Sequence, residues 1–222
     1  MAEYHLLTKQ NPKVVKGEKL NWMTVVLHLM PWKFSGYQVC PGANGCQWTC
    51  LAFSGRGPME RTVEARRRRT IQFFEDREFF MRMLVADIGK AAIEAELRVM
   101  NLAVRLNGTS DIPWEKVRTH THRNVMEHFP EIVFYDYTSV RGRVIDVPNY
   151  HITYSDKGDA IALLEKGYNV SMIFDDGIPD SWNGFPVIAG DETDLRFLDP
   201  SPCVVGLTRK RTRMPEPLTL AA

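Results

Sequence analysis

The chain is 222 residues long, 44% hydrophobic and 25% charged, with a formal net charge of +1. Such a chain suits one globular domain with a full core, and its near-zero charge removes a whole-molecule field as a reason to bind nucleic acid or membrane. No apolar run approaches the roughly 20 residues of a membrane span. The opening Met-Ala-Glu-Tyr-His lacks a basic-then-apolar leader, so the chain reads as cytoplasmic and its four cysteines as reduced.

Residues 1–21 are polar and turn-rich and read as an irregular lead-in. Thr24 to Met30 is the first strand. Val39 to Cys50 follows, a loop holding Cys40, Cys46 and Cys50, kept out of regular structure by Pro41, Gly42, Asn44 and Gly45. Three thiolates on one tight loop point to a metal ion or iron–sulfur cluster, because soft sulfur ligands must converge within a few ångströms. Met59 to about Met100 is helical in two pieces, with Asp76 as N-cap between them. Phe79, Phe80, Met83, Leu84, Ile88 and Ala91 recur at helical spacing and predict one apolar face. Arg66 to Arg69 wrap around the first of these helices, as a solvated face or a phosphate contact.

Short apolar runs then alternate with helices or loops: Ala103–Asn107, a helical Trp114–His128, Ile132–Thr138, Tyr150–Ser155, a short helix over Asp159–Lys166, Val170–Asp175, Phe185–Ala189 and Val204–Leu207. With the first strand these make seven strand candidates. The predicted fold is α/β, a partial (β/α) barrel of about six or seven mainly parallel strands in a single domain, with its core over 22–208. Residues 209–222, with Arg209-Lys-Arg-Thr-Arg213, read as a mobile basic tail. Cys203 reads as a buried thiol, and His120 and His122 as surface histidines.

Strands buried in a parallel sheet should be uniformly apolar, yet polar residues alternate along these. Arg105 with Asn107, Asp136 with Thr138, His151 with Thr153 and Ser155, and Ser171 with Asp175 each share a strand face. The simple reading is a polar inner face lining a cavity at the C-terminal strand ends, beside the cysteine loop. An internal hydrogen-bond network is the other way to satisfy these groups.

Several phrases carry a resemblance: the Cys-Pro-Gly opening of the cysteine loop, Val104-Arg-Leu-Asn-Gly-Thr-Ser-Asp111, Phe134-Tyr-Asp-Tyr-Thr138, Asn149-Tyr-His-Ile-Thr-Tyr-Ser155 and Gly190-Asp-Glu-Thr-Asp-Leu-Arg-Phe-Leu-Asp-Pro200. In these the chain resembles the gene-product-88-like proteins of bacteriophages and plasmids. That likeness implies a phage or mobile-element origin and brings no established activity. More distantly, three cysteines on a loop after the first strand of a partial barrel resemble the radical S-adenosylmethionine (SAM) enzymes. Here five and three residues separate the cysteines, Trp48 lies two residues before the last of them, and Asn107-Gly-Thr-Ser-Asp111 stands where a Gly-Gly-Glu motif would follow the second strand.

That likeness implies a [4Fe–4S] cluster on Cys40, Cys46 and Cys50, with SAM at the open iron. Asn107, Ser110, Asp111 and Ser155 would hold the cofactor, and Asp136, Tyr137, Asp175, Asp191 and Arg196, by their position, would face a small-molecule or nucleic-acid substrate in the host cell. The alternative is a non-catalytic protein with structural zinc that binds nucleic acid through Arg66–Arg69, Arg141, Arg143 and Arg209–Arg213, or binds a host protein.

Overall fold

The computed structural model describes residues 5–9 and 12–213. Its strands are β1 (Leu7–Thr8), β2 (Trp22–Leu27), β3 (Asn101–Arg105), β4 (Val133–Thr138), β5 (Tyr150–Ser155), β6 (Val170–Phe174), β7 (Ser181–Trp182), β8 (Phe185–Ala189) and β9 (Val204–Thr208). The helices are α1 (Pro12–Gly17), α2 (Glu60–Glu75), α3 (Arg77–Leu97), α4 (Val125–His128) and α5 (Ala160–Leu164). The strands join in one sheet in the order β1, β2, β3, β4, β5, β6, β9, β8, β7.

All seven expected strands are present and mutually parallel. The expected barrel is corrected to an open nine-stranded sheet. Strand β9 inserts between β6 and β8, so the last strands run outward instead of back toward β2. Two-residue antiparallel strands, β1 on β2 and β7 on β8, close the edges, which leaves little exposed ladder for another chain to pair with.

From β2 to β6 the chain advances in one direction across the sheet. Right-handed crossovers then put their helices on one face. That face carries Met23, Val25 and Leu27 of β2, Leu102 and Val104 of β3, Phe134 of β4 and Tyr150 of β5, all packed with Phe80, Met81, Leu84, Ile88, Ala91 and Ala95 of α3. The α3 stripe is as expected except that Met81 replaces Phe79, which is exposed. Asp76 caps α3 by accepting the Phe79 N–H at 3.2 Å.

The lead-in is more regular than expected, since it holds β1 and α1. Its anchor is Asp87, a fully buried carboxylate on α3. One of its oxygens accepts the backbone N–H groups of His5, Leu6 and Leu7 at 2.8, 2.7 and 3.4 Å. Asp87→Ala leaves three peptide donors without a charged acceptor and is expected to cost about 3 kcal/mol in urea unfolding. A loss below about 1 kcal/mol would mean that water replaces the carboxylate there.

Two helical expectations shrink. Trp114–His128 is one three-residue turn at Trp114–Lys116 plus α4, and Asp159–Lys166 shortens to α5. The supposed mobile tail is tied down over its first residues. Arg213 donates its N–H to the Phe53 carbonyl at 2.9 Å, and Thr212 bridges Ser54. The remainder of that expectation, 214–222, lies outside the described residues. Among the described residues no helix is long and apolar enough to cross a membrane.

Candidate functional site at the cysteine loop

Because β2 runs parallel to β3 and the strands beyond it, the segment after Leu27 emerges at the C-terminal edge of the sheet. Phe34 and Phe53 pack there with Met30 and Val63 in a small apolar cluster, against which Trp32 and Cys50 lean. The loop is pinned at its start: Val39 N–H donates to the Trp32 carbonyl, and Asp111 N–H donates to the Val39 carbonyl at 2.8 Å. Between the first two cysteines the backbone turns through Asn44 (φ 39°) and Gly45 (φ 91°), and a side chain at Gly45 would be strained. Short 3₁₀ turns over Cys46–Thr49 and Leu51–Phe53 follow.

Cys40 and Cys50 are partly buried and Cys46 is exposed. The Cys40 sulfur accepts the Trp32 N–H at 3.3 Å. Burial pushes the Cys40 thiol up to about 12, and the neighbouring Cys50, Asp111 and Cys46 push in the same direction. Cys50 is raised by burial too, with Cys46 adding to it and Arg66 opposing it. Both thiols therefore hold their protons at neutral pH unless a cation arrives. The three cysteines lie within electrostatic reach of one another. Among the described residues, however, no three His, Cys, Asp or Glu side chains converge into a group that could hold a metal ion.

Arg66 departs from the expected solvated face or phosphate contact. It is not solvated: only 8% of it is exposed. The spacing of Val63, Arg66, Thr70 and Phe73, all buried on one stripe of α2, is the signal that would have found it. Its guanidinium donates to the Ala52 carbonyl at 2.6 Å. Burial lowers its pKa to about 10, with Cys50 opposing and Arg69 adding to the shift. Nearby His28 is held at about 3, first by burial and then by Arg66, Arg105 and Arg69. Its Nδ1 is buried without a hydrogen-bond partner. A Cβ on Gly108 would come within 2.5 Å of that nitrogen, so only glycine fits where the loop after β3 crosses His28.

The polar strand residues separate onto two faces. Pairing of β3 with β4 and of β4 with β5 places Asp136 opposite Ile152 and beside Phe134 on the helix side. This corrects the expectation that Asp136 and Thr138 line the same surface as Arg105 and His151. Asp136 is fully buried and accepts the Asn107 N–H at 2.6 Å and the Tyr150 hydroxyl at 2.8 Å. Asn107 Oδ1 accepts from Ser110 Oγ, the Ile112 N–H and Trp114 Nε1 at 2.9 to 3.0 Å. Asp111 accepts from Thr138 Oγ1 and the Ser139 N–H, both at 2.7 Å. Asn107 thus ties Ser110 to Asp136, while Asp111 bonds to the end of β4. The carbonyl of Ser155 accepts Arg141 at 2.8 Å.

The opposite face carries Arg105, Tyr135, Tyr137, His151, Thr153 and Ser171, in register across four strands. The acidic turn near the C-terminus covers it. Phe197 packs on Trp22, Tyr135 and His151 at ring distances of 4.6, 5.5 and 6.1 Å. Buried Asp194 accepts Arg105 at 2.8 Å and the Tyr135 hydroxyl at 3.1 Å. Tyr137 lies under the Arg105 guanidinium, 4.9 Å from ring centre to carbon, and buried Arg196 pairs with Asp199 at 3.2 Å. Asp175 pairs with Arg209, and Asp191 with Lys210 and Thr208, at the surface. Of the five candidate substrate residues, Tyr137 and Arg196 therefore share a face and Asp136 lies on the other. A cavity of about 460 Å³ opens beside β5 at the N-terminal ends of β6 and β9, away from the cysteine loop, with walls that include Tyr150, His151, Thr153, Tyr168 and Phe197.

With this arrangement in view, the comparison with known families is decisive. A family model described as gene product 88 matches residues 5–216. The chain belongs to the gene product 88 family. No curated protein and no solved structure matches it. The matched span runs from β1 past the Ser54–Thr212 bridge and takes in the cysteine loop.

Proposed function

We propose that this member of the gene product 88 family is an iron–sulfur protein of the infected cell, with Cys40, Cys46 and Cys50 as the protein ligands. The observation that carries the proposal is Arg66, a buried guanidinium beside Cys50 that has no ion-pair partner among the described residues. Leaving a buried charge uncompensated costs several kcal/mol, and thiolates held by a metal would supply the missing negative charge. The thiols suit such a group in kind and neighbourhood. Cys40 and Cys50 are partly buried, so it is the exposed Cys46, just after the Asn44–Gly45 turn, that has to swing in.

A cluster with three protein ligands leaves one iron open, for electron transfer or for SAM-dependent radical chemistry. The chain's own contribution would be to shield that centre with Trp32, Phe34 and Phe53 and to balance its charge with Arg66. The nucleic-acid alternative has less support, because several of its arginines already have carboxylate partners. Arg141 pairs with Asp159, Arg143 with Glu115 and Arg209 with Asp175.

The test is iron, zinc and sulfide content with a visible spectrum after anaerobic purification and reconstitution. The expected result is a brown protein with about four iron and four sulfide per chain, whose iron is lost from Cys46→Ala while its far-ultraviolet circular dichroism is unchanged. A colourless protein loaded with zinc, or one that takes up neither metal, overturns the iron–sulfur reading.

A further inference from the structure

Outside the cysteine loop, a second group of candidate metal ligands sits at the surface in the segment between β3 and β4. His122 and His128 present Nδ1 atoms to each other at 3.1 Å. Thr121 Oγ1 lies 2.7 Å from the first and 3.2 Å from the second. We propose that His122, His128 and Thr121 form a binding site for a divalent transition-metal ion of the zinc, nickel or copper class, separate from the cysteine loop.

Three arguments support it. The first is distance. Two nitrogens each about 2.05 Å from one metal lie about 3.3 Å apart in a tetrahedral site and about 2.9 Å apart at adjacent octahedral corners. The observed 3.1 Å falls between the two, so an ion can enter without moving either ring far. The second is preorganisation. His122 sits on a turn locked by buried Thr119, which accepts the His122 N–H at 2.8 Å and whose own N–H donates to the His122 carbonyl at 3.1 Å. His128 ends α4, whose Asn124 cap accepts the Glu127 N–H at 2.9 Å and whose Val125 and Met126 are fully buried. The ring also leans on Phe129, at 4.7 Å.

The third argument is ligand chemistry. Imidazole nitrogen favours zinc, nickel and copper over magnesium or calcium, and water completes the coordination.

The experiment is a zinc titration of the full chain, followed through the ring nitrogen resonances of its histidines. The expected result is that the Nδ1 signals of His122 and His128 move together and saturate together, whether or not Cys46 has been replaced by alanine. His128→Ala should raise the zinc concentration needed to move the remaining His122 signal by about tenfold or more, with the melting temperature unchanged. Chelator should restore the starting spectrum. If the two signals stay still while zinc binds elsewhere, or if His122 titrates identically in the variant, the proposal is overturned. Because the cysteine loop is read separately by its own metal content, failure here leaves the iron–sulfur reading standing, and the reverse also holds.

Discussion

Replacing Asp194 by alanine is expected to remove about 3–5 kcal/mol of stability, the cost of breaking a buried ion pair from one side. The carboxylate is 3% exposed and serves two partners, Arg105 from β3 and Tyr135 from β4. Burial disfavours the Arg105 charge, and Asp194 more than restores it, with smaller help from Tyr135, Tyr137 and Asp136. Without Asp194 the guanidinium stays trapped between the sheet and the segment that carries Phe197. For a chain of this length the loss corresponds to a fall in melting temperature of roughly 6–20 °C.

Two companions separate charge from packing. Tyr135→Phe removes one neutral donor and should cost only about 1 kcal/mol. The double replacement Arg105→Met with Asp194→Leu removes both charges and should recover most of the single-variant loss. A small effect of Asp194→Ala, with the double variant no better, would show that water reaches this face and screens Arg105.

The second large effect concerns pH. Burial raises the Asp136 carboxyl to about 7, against the opposing pull of Arg105 and the hydrogen bonds from Asn107 and Tyr150. In the unfolded chain the same group ionises near pH 4. Between those values the native protein holds a proton that the unfolded chain has released, so this group's contribution falls as pH rises from about 4 to 7 and is level above. The full span is about 4 kcal/mol, three units at 1.36 kcal/mol each. His28 acts in the opposite sense. Its native value of about 3 lies below the unfolded one, so its contribution grows as pH rises from about 3 to 6.5.

The wild-type curve alone therefore mixes two opposed slopes, and the test is a difference. Asp136→Asn keeps the shape of the side chain and removes the titration. Measured by urea unfolding, the variant should gain on the wild type by about 3 kcal/mol between pH 4.5 and pH 8. Parallel curves for the two proteins would show that Asp136 is ionised in the native state throughout.

Local pattern alone determined several features. The seven parallel strands follow from short apolar runs separated by breakers, because each run carries its signal within a few residues. The Asp76 cap and most of the α3 stripe were legible for the same reason: capping and helical periodicity act over one or two turns. The family phrases were legible too, since they are contiguous in the chain.

The tertiary structure decided the rest. The sheet stays open because β9 enters between β6 and β8, a pairing between segments some thirty residues apart that no local period encodes. Asp136 changed faces for a related reason. Alternation gives the parity within a strand, but only the register against β3 and β5 fixes which parity meets the helices. Arg66 looked like one of four solvated arginines until α2 was seen to turn it inward onto Ala52 and Cys50. His122 and His128 lie six residues apart, and a cap and a locked turn bring their rings together. The chain thus names its ligands and its polar residues, while the packing of distant segments decides which of them face one another.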